Sequence, residues 1–197
     1  MKEVWDQRYN TAEYVYGINP NIFFAEELNK LSPGKILLPC EGEGRNAVFA
    51  ALKGWHVMAF DQSIAGKTKA LKLATNNKVI INYSISDALD FSIPENSIDV
   101  IAFIYAHFTE DVRKKIHTNA IKWLKPGGKI IIEAFNKNQL KNSSGGPKII
   151  SMLYDEEILA QDFNLLKIEL LQSVETELKE GTLHIGKADI IRFVGKK

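Results

Sequence analysis

Short apolar runs and amphipathic stretches alternate along the chain, and their spacing predicts alternating strands and helices. The predicted strands are 35–39, 55–61, 78–87, 97–108 and 129–135. The predicted helices are 21–31, 45–54, 63–77, 109–124 and 154–163. Ser63 and Thr109 are the expected N-caps of the third and fourth helices. Two more strands, around a turn near 179–181, are predicted to end the chain.

This alternation predicts an α/β fold, a Rossmann-like, doubly wound, mostly parallel seven-stranded sheet with helices on both faces. The longest apolar run lies in 97–108, so this strand is expected at the centre, buried on both faces. The terminal strands are expected to form an antiparallel hairpin. The loop 136–148 is long enough to be functional. Without a repeat or a linker, 1–197 is predicted to form one domain.

Composition and charge exclude several function classes. The net charge is +1 and no basic stripe is present, which argues against nucleic-acid and membrane partners. The single cysteine, Cys40, cannot form an internal disulfide. The charged N-terminus does not have the pattern of a signal peptide, and no apolar stretch approaches the roughly 20 residues that span a bilayer. We therefore expect a cytoplasmic monomer or homodimer that acts on a small molecule, and we assign no metal site.

The segment LPCEGEGRNA, at 38–47, predicts a nucleotide-binding turn. Gly42, Gly44 and Ala47 satisfy the loose fingerprint G-x-G-x-x-A. The turn follows the first strand, so it should lie at the carboxyl ends of the strands, where the next helix N-terminus favours an anion. Glu41 and Glu43 flank Gly42 and would repel a pyrophosphate.

A ligand with a small carboxylate and a nearby positive charge suits this turn better than a dinucleotide. S-adenosylmethionine has both, because it combines an α-carboxylate with an ammonium and a sulfonium. Asp61 ends the second strand, 19 residues after Gly42, and could accept hydrogen bonds from the ribose hydroxyls of either nucleotide. Asp61 therefore does not discriminate between the two ligands, whereas the two glutamates do.

Several segments together resemble the class I S-adenosylmethionine-dependent methyltransferases, over nearly the whole chain. These are ILLPCEGEGRNAVFAA, VMAFDQS, SDALDFSIPENSIDVI and WLKPGGKIIIEAF. WDQRY, YVYGINPN, GGPK, LY and LHIGKADIIRF resemble more narrowly the tellurite-resistance and thiol methyltransferase-like branch. Leu38 and Cys40 depart from the family pattern, which has aspartate and glycine at these positions.

The resemblance implies the fold of that class, S-adenosylmethionine as cofactor and S-adenosylhomocysteine as product. The cofactor contacts it implies, together with those indicated by the turn, are Tyr9, Cys40, Glu41, Gly42, Gly44, Arg45, Asp61, Gln62, Asp87, Ala88 and Tyr105. Residues 1–31 are expected to cover this site. Structural alternatives stay open: Asp61 and Asp87 could be caps, and Arg45 could cap the helix or pair with Glu41 or Glu43. Cys40 is interpreted as a small substitute for glycine.

For the acceptor side, the hypothesis names His107, His184 and Lys148, with Lys187 as a further cation that could attract an anion. His184 matches a family histidine near the acceptor, although a structural role fits a strand histidine equally well. The expected reaction is methyl transfer to a small soft nucleophile, a thiol or a tellurium or selenium oxyanion. The alternatives are an NAD-dependent oxidoreductase and a non-catalytic nucleotide-binding protein with the same fold.

Overall fold

Seven strands form one mixed sheet at the centre of the protein. The computed structural model describes residues 2–197, with only the backbone of Lys2. The strands are β1 Lys35–Pro39, β2 His56–Asp61, β3 Asn82–Ile85, β4 Ile98–Ile104, β5 Leu124–Phe135, β6 Lys167–Glu180 and β7 His184–Lys196. Their order is β3-β2-β1-β4-β5-β7-β6. The first five pair in parallel, and β7 runs antiparallel to both β5 and β6, which confirms the predicted fold class.

Helices pack around the sheet and cover both of its faces. They are α1 Lys2–Tyr9, α2 Ile22–Leu28, α3 Arg45–Leu52, α4 Ile64–Asn76, α5 Glu110–Trp123 and α6 Glu156–Asp162, with short 3₁₀ helices at Lys137–Lys141 and Ile150–Met152. The Ser63 cap is confirmed, since its hydroxyl accepts a hydrogen bond from the Gly66 N–H. Thr109 occupies the cap position of α5, but its side chain makes no cap hydrogen bond. Among residues 2–197, no helix is long and apolar enough to cross a membrane.

The structure differs from the predicted elements at several of their ends. The predicted strand 97–108 ends at Ile104, because Tyr105 has a φ of 52°, in the left-handed region. The predicted strand 78–87 is reduced to four residues of β3. Helix α1 is not predicted by the sequence pattern, because its polar segment KEVWDQRY shows no apolar periodicity. Met1, the first residue of the predicted domain and of the predicted covering segment, lies outside the described residues.

Strand β4 lies at the centre of the sheet, and the candidate site lies at its carboxyl end. The strand lies between β1 and β5, as predicted, and nearly all of it is buried. One apolar layer packs the sheet against α2, α3 and α4, and a second packs it against α5 and α6. The two layers hold the strands in place. Because β1 to β5 are parallel, the loops at their carboxyl ends lie at the same edge of the sheet.

Candidate active site

A cavity of about 320 Å³ lies at the carboxyl ends of the parallel strands. This volume falls in the range of small-molecule sites, about 300–1,000 Å³. Most of the sequence-predicted site residues line it, although they come from distant parts of the chain: Tyr9, Cys40, Glu41, Arg45, Asp61, Gln62, Asp87, Ala88, Tyr105, His107 and His184. Gly42, Gly44 and Lys148 are not part of its lining.

Gly42 and Gly44 shape the turn from behind the cavity. Both have positive φ, 60° and 86°. A Cβ added to Gly44 would lie 2.5 Å from the Ala70 Cβ on α4, and one added to Gly42 would lie 2.6 Å from the Tyr9 hydroxyl. The glycines are therefore needed for backbone conformation and for close packing against α1 and α4.

The N-terminus of α3 is occupied by the protein's own Glu41. A Glu41 carboxylate oxygen accepts a hydrogen bond from the Ala47 N–H at 2.7 Å, and the other accepts one from Asn46 Nδ2 at 3.5 Å. Burial raises the pKa of Glu41 to about 7, against the lowering effect of these donors. The helix N-terminus where the sequence predicts a ligand anion thus already binds the carboxylate of Glu41, and anion binding there stays a prediction.

Glu43 lines the cavity, and its carboxylate is bonded to the N-terminal segment and to α4. Its carboxylate lies 2.6 Å from Lys69 Nζ and accepts a hydrogen bond from the Val15 N–H at 2.8 Å. Its charge is therefore neutralised within the protein, and it anchors the chain that follows α1.

Helix α1 and the segment after it form one wall of the cavity. Asp6 accepts hydrogen bonds from the Ser63 hydroxyl at 2.6 Å and from the Ala65 N–H at 3.1 Å, so α1 is held over the start of α4. Trp5, Arg8 and Tyr9 of α1 all line the cavity. That residues 1–31 cover a bound cofactor stays a prediction.

Arg45 does not pair with either glutamate of the turn. Its Nη2 atom lies 3.0 Å from a carboxylate oxygen of Glu180, and its Nη1 donates to the Tyr16 carbonyl at 3.1 Å. Glu180 ends β6, far away in sequence, so local spacing along the chain could not predict the pair. The Arg45 guanidinium thus links the glycine turn, within residues 38–47, to the terminal hairpin of β6 and β7.

Asp61 and Asp87 stand at neighbouring strand ends, as predicted. The Asp61 carboxylate accepts the Gly42 N–H at 3.1 Å and the Ser63 N–H at 2.9 Å, while burial raises its pKa. The Gln62 N–H also donates to this carboxylate, so about one of its four acceptor sites is left for a ligand hydroxyl. Asp87 accepts the Leu89 N–H at 3.1 Å and lines the cavity beside Ala88. The two acids have local bonding roles and also remain available to a ligand.

Cys40 and Tyr105 are both held in the left-handed region at the cavity, with φ of 55° and 52°. Non-glycine residues at positive φ store backbone strain, which often accompanies functional sites. Burial raises the pKa of the Cys40 thiol well above its ordinary value, so the thiol is protonated at neutral pH. Cys40 therefore behaves as a small neutral substitute for glycine.

Aromatic rings form the other end of the cavity, around His184. The His184 ring centroid lies 4.4 Å from Tyr16, 4.5 Å from Tyr105 and 5.3 Å from Phe135. His184 Nδ1 lies 3.0 Å from the Glu180 carboxylate, and burial lowers the pKa of the ring. This end offers an apolar surface together with one neutral imidazole.

His107 is bonded through both ring nitrogens. Nδ1 lies 2.8 Å from the Met152 carbonyl, which can only accept, so Nδ1 carries the proton. Nε2 then accepts the Phe135 N–H at 3.3 Å. Burial lowers the pKa of His107 to about 4. To act as the predicted base, His107 would have to break its bond to Phe135.

Lys148 and Lys187 lie outside the cavity. Lys148 is exposed and donates to the Asn142 carbonyl at 2.8 Å, although its neighbours Gly146 and Pro147 line the cavity. Lys187 is paired with Glu175 at 2.8 Å on the hairpin surface. The structure therefore does not place either ammonium where the hypothesis needs it.

Sequence reasoning missed three charged residues. Arg8 lines the cavity, donates to the Tyr16 hydroxyl at 3.0 Å and stacks 4.5 Å above the Trp5 ring. Glu180 contacts Arg45 and His184. Glu133 is buried beneath the site, and a glutamate inside the apolar run KIIIEAF is the signal that could have found it.

Comparison with known proteins finds a similar domain in part of the chain. A family model described as "Methyltransferase domain" matches residues 36–128, which include the glycine turn, the two acids and β4. A Zea mays protein named phosphoethanolamine N-methyltransferase 1 is 30% identical over 122 residues, covering 61% of this chain and 24% of that protein. The chain therefore spans about a quarter of the length of that relative.

A bacterial relative covers more of both chains. It is a Legionella pneumophila protein named thiopurine S-methyltransferase, 25% identical over 187 residues, with 85% of this chain and 81% of that protein covered. This similarity therefore extends well beyond the region 36–128.

Solved structures agree in fold. One, described as "Conversion of a Disulfide Bond into a Thioacetal Group during Echinomycin Biosynthesis", has a TM-score of 0.81 at 17% identity, covering 100% of this chain and 91% of the other. TehB from Haemophilus influenzae has a TM-score of 0.73 at 18% identity, covering 100% and 66%. Both confirm the fold, whereas the predicted tellurite-resistance branch receives only this distant likeness.

Proposed function

We propose that this chain is a class I S-adenosylmethionine-dependent methyltransferase and that it methylates a small soft nucleophile, foremost a thiol. The domain match over residues 36–128 and the shared fold support the first part of this proposal. The observation that carries the proposal is the chemistry of the cavity end around His184, where the acceptor would bind and which is called the acceptor end. Its rings offer polarizable walls, which suit sulfur. The two carboxylates nearest to it, Glu180 and Glu133, are each paired with an arginine. Within the described chain, a protonated amine would find no unpaired carboxylate at this end.

The relatives support a sulfur acceptor in part. The Legionella protein is named for an S-methyl transfer, and the echinomycin structure is described by the conversion of a disulfide bond into a thioacetal group. The maize protein is named for an N-methyl transfer to phosphoethanolamine, but its match covers only part of this chain. A tellurium or selenium oxyanion is the second candidate, because Arg8 has no carboxylate partner among residues 2–197.

The residues at the opposite end of the cavity fit the cofactor that the family implies. Bound S-adenosylmethionine would supply an electrophilic methyl group on a sulfonium. Asp61 would accept ribose hydroxyls, and Asp87 with the Ala88 N–H would bind the adenine. Glu41, buried and anionic when deprotonated, would receive the ammonium in place of the aspartate missing at Leu38.

The chain's contribution to the reaction would be alignment and exclusion of water. Methyl transfer to an anion neutralises charge, so removing water from the reacting groups lowers the barrier. Helix α1 lines one side of the cavity, and the tip of the terminal hairpin is bonded to the segment that follows α1. The nucleophile would lie among Tyr16, Tyr105 and His184, and His184 would be the nearest group able to take a proton.

Cofactor affinity should depend on pH through Glu41. Because burial raises the pKa of this carboxyl to about 7, it becomes protonated below that pH and no longer attracts an ammonium. We expect affinity for S-adenosylhomocysteine to fall by at most about tenfold per pH unit below pH 7. Calorimetric titration between pH 5.5 and 8.5 measures this. In Glu41→Gln the affinity should be weaker and nearly independent of pH, whereas an unchanged slope would remove Glu41 from the cofactor site.

An acceptor screen tests the proposed function. S-adenosylhomocysteine production would be followed with small aliphatic and aromatic thiols, selenite, tellurite, phosphoethanolamine and small amines. We expect turnover with thiols, at a rate that rises toward the pKa of the thiol, about 8.5 for cysteine-like thiols. Turnover of phosphoethanolamine alone, or of macromolecules alone, would contradict the proposal. Cofactor binding without any turnover would favour the non-catalytic alternative.

Two variants accompany this screen. His184→Ala should lower kcat or raise the acceptor KM, while affinity for S-adenosylhomocysteine stays the same. Lys148→Ala should change little, because this exposed ammonium is bonded to the Asn142 carbonyl rather than directed into the cavity. Equal losses in both variants would show that the acceptor lies at the loop rather than among the rings.

A further inference from the structure

Glu180 and His184 face each other at the closed end of the terminal hairpin. They form the last cross-strand pair of β6 and β7, and residues 181–183 connect them. The tip is fixed to the N-terminal segment, because the Thr182 N–H donates to the Val15 carbonyl at 2.8 Å. At Gly181 a Cβ would lie 2.2 Å from the same carbonyl oxygen. The relative position of the two side chains is therefore set by backbone on both sides.

The Glu180 carboxylate is held in its anionic form. Arg45 Nη2 lies 3.0 Å from Oε2, and Asn21 Nδ2 donates to Oε1 at 3.2 Å. Although burial opposes ionisation, His184 and Arg45 lower the pKa of Glu180 to about 2. An anionic carboxylate can only accept, so the 3.0 Å contact with His184 requires a proton on Nδ1.

The second nitrogen of His184 is open to the cavity. Nε2 of His184 has no hydrogen-bond partner among residues 2–197. Within these residues, the one side-chain nitrogen or oxygen that is both buried from solvent and without a partner is Nε2 of His117, so Nε2 of His184 is accessible to solvent. A Cβ at Gly145 would lie 3.1 Å from Nε2, so the glycine at this position leaves the atom uncovered. Because burial lowers the pKa of His184, the ring is neutral at pH 7 and Nε2 carries a lone pair.

We propose that Glu180 is a positioning residue that holds His184 with its proton on Nδ1 and presents the Nε2 lone pair to the acceptor. The proposal rests on the proposed methyl transfer. In the proton step, the S–H bond of the acceptor breaks, its proton forms a bond to Nε2, and the electron pair stays on sulfur. The resulting imidazolium would be stabilised by Glu180.

Other groups around His184 oppose this protonation. Burial lowers the pKa of His184 most, Arg45 and Arg8 lower it further, and Glu180 raises it. Tyr16 and Tyr105 face the ring, and their hydroxyls are bonded to Arg8 and Glu133 respectively. Glu180 is thus the carboxylate in direct contact with the ring.

Nitrogen-15 NMR of the histidine rings tests the tautomer without any acceptor. The wild-type spectrum at pH 7.5 should show His184 protonated on Nδ1, with its signals assigned by their loss in His184→Gln. In Glu180→Gln the population protonated on Nε2 should rise, since free imidazoles favour that tautomer. Glu177→Gln, an exposed glutamate on the same strand, is the matched control and should leave the His184 signals unchanged.

Kinetics add a second readout with the thiol that the acceptor screen identifies. Glu180→Gln should lower kcat by about 10²-fold, the lower range for general acid–base catalysis, and shift the pH profile, with the KM for S-adenosylmethionine nearly constant. A wild-type ring protonated on Nε2, or a Glu180→Gln enzyme with the wild-type pH profile, would overturn the proposal. If no thiol is methylated but the Nδ1 tautomer is observed, the proposed function fails and the assignment of the tautomer stands.

Discussion

Replacing Glu133 with alanine should lower the free energy of unfolding by about 3–5 kcal/mol, the usual cost of breaking a buried ion pair. Glu133 is 2% exposed, and its Oε2 accepts from Arg192 Nε at 2.7 Å. Its Oε1 accepts from Asn21 Nδ2 at 2.6 Å and from the Tyr105 hydroxyl at 3.1 Å. Truncation leaves all three donors without this acceptor, in a region that water reaches poorly. Chemical denaturation with urea measures the loss.

Two variants make this result specific. Glu133→Gln keeps the shape and part of the hydrogen bonding, so it should cost less than Glu133→Ala. Glu110→Ala removes an exposed partner of Lys114 and should leave the free energy of unfolding nearly unchanged. Equal effects of Glu133→Ala and Glu110→Ala would show that the network beneath the cavity contributes nothing to stability.

Replacing Asp61 with alanine should weaken the binding of S-adenosylhomocysteine by roughly 1.5–3 kcal/mol, the contribution of hydrogen bonds to a charged acceptor. That corresponds to about a 10- to 150-fold rise in Kd. The carboxylate lines the cavity at the end of β2 and would accept the ribose hydroxyls. Isothermal titration calorimetry measures the change, and the fold should persist because no apolar contact is removed.

Asp61 also fastens the glycine turn, so a control must separate the two roles. It accepts the N–H groups of Gly42 and Ser63, and its loss should lower Tm moderately. Asp90→Ala, an exposed aspartate on the loop after β3, should leave both Tm and affinity unchanged. A lower Tm with unchanged affinity in Asp61→Ala would reduce Asp61 to a structural residue.

The sequence alone was sufficient for the order and type of most elements, because these depend on local periodicity. The apolar runs that became β1, β2 and β4, and the cap at Ser63, depend on neighbours within a few residues. The same holds for the clustering of Asp61 and Asp87 with the glycine turn, because parallel strands end at one edge of a sheet. Strands β3 and β4 are shorter than predicted, and in β4 the positive φ at Tyr105 interrupts the extended backbone.

Tertiary structure alone decided which charges meet. Arg45 pairs with Glu180 across 135 residues, and Glu133 with Arg192 across 59, so spacing along the chain carries no information about either pair. Glu41 and Glu43 both line the cavity, but only the packing of distant segments pairs Glu43 with Lys69 and bonds it to the Val15 N–H. Folding also engages both nitrogens of His107, whereas Nε2 of His184 has no partner among residues 2–197. The physical reason is that an ionisable group's role depends on its partners and its exposure, and both arise from contacts between distant segments.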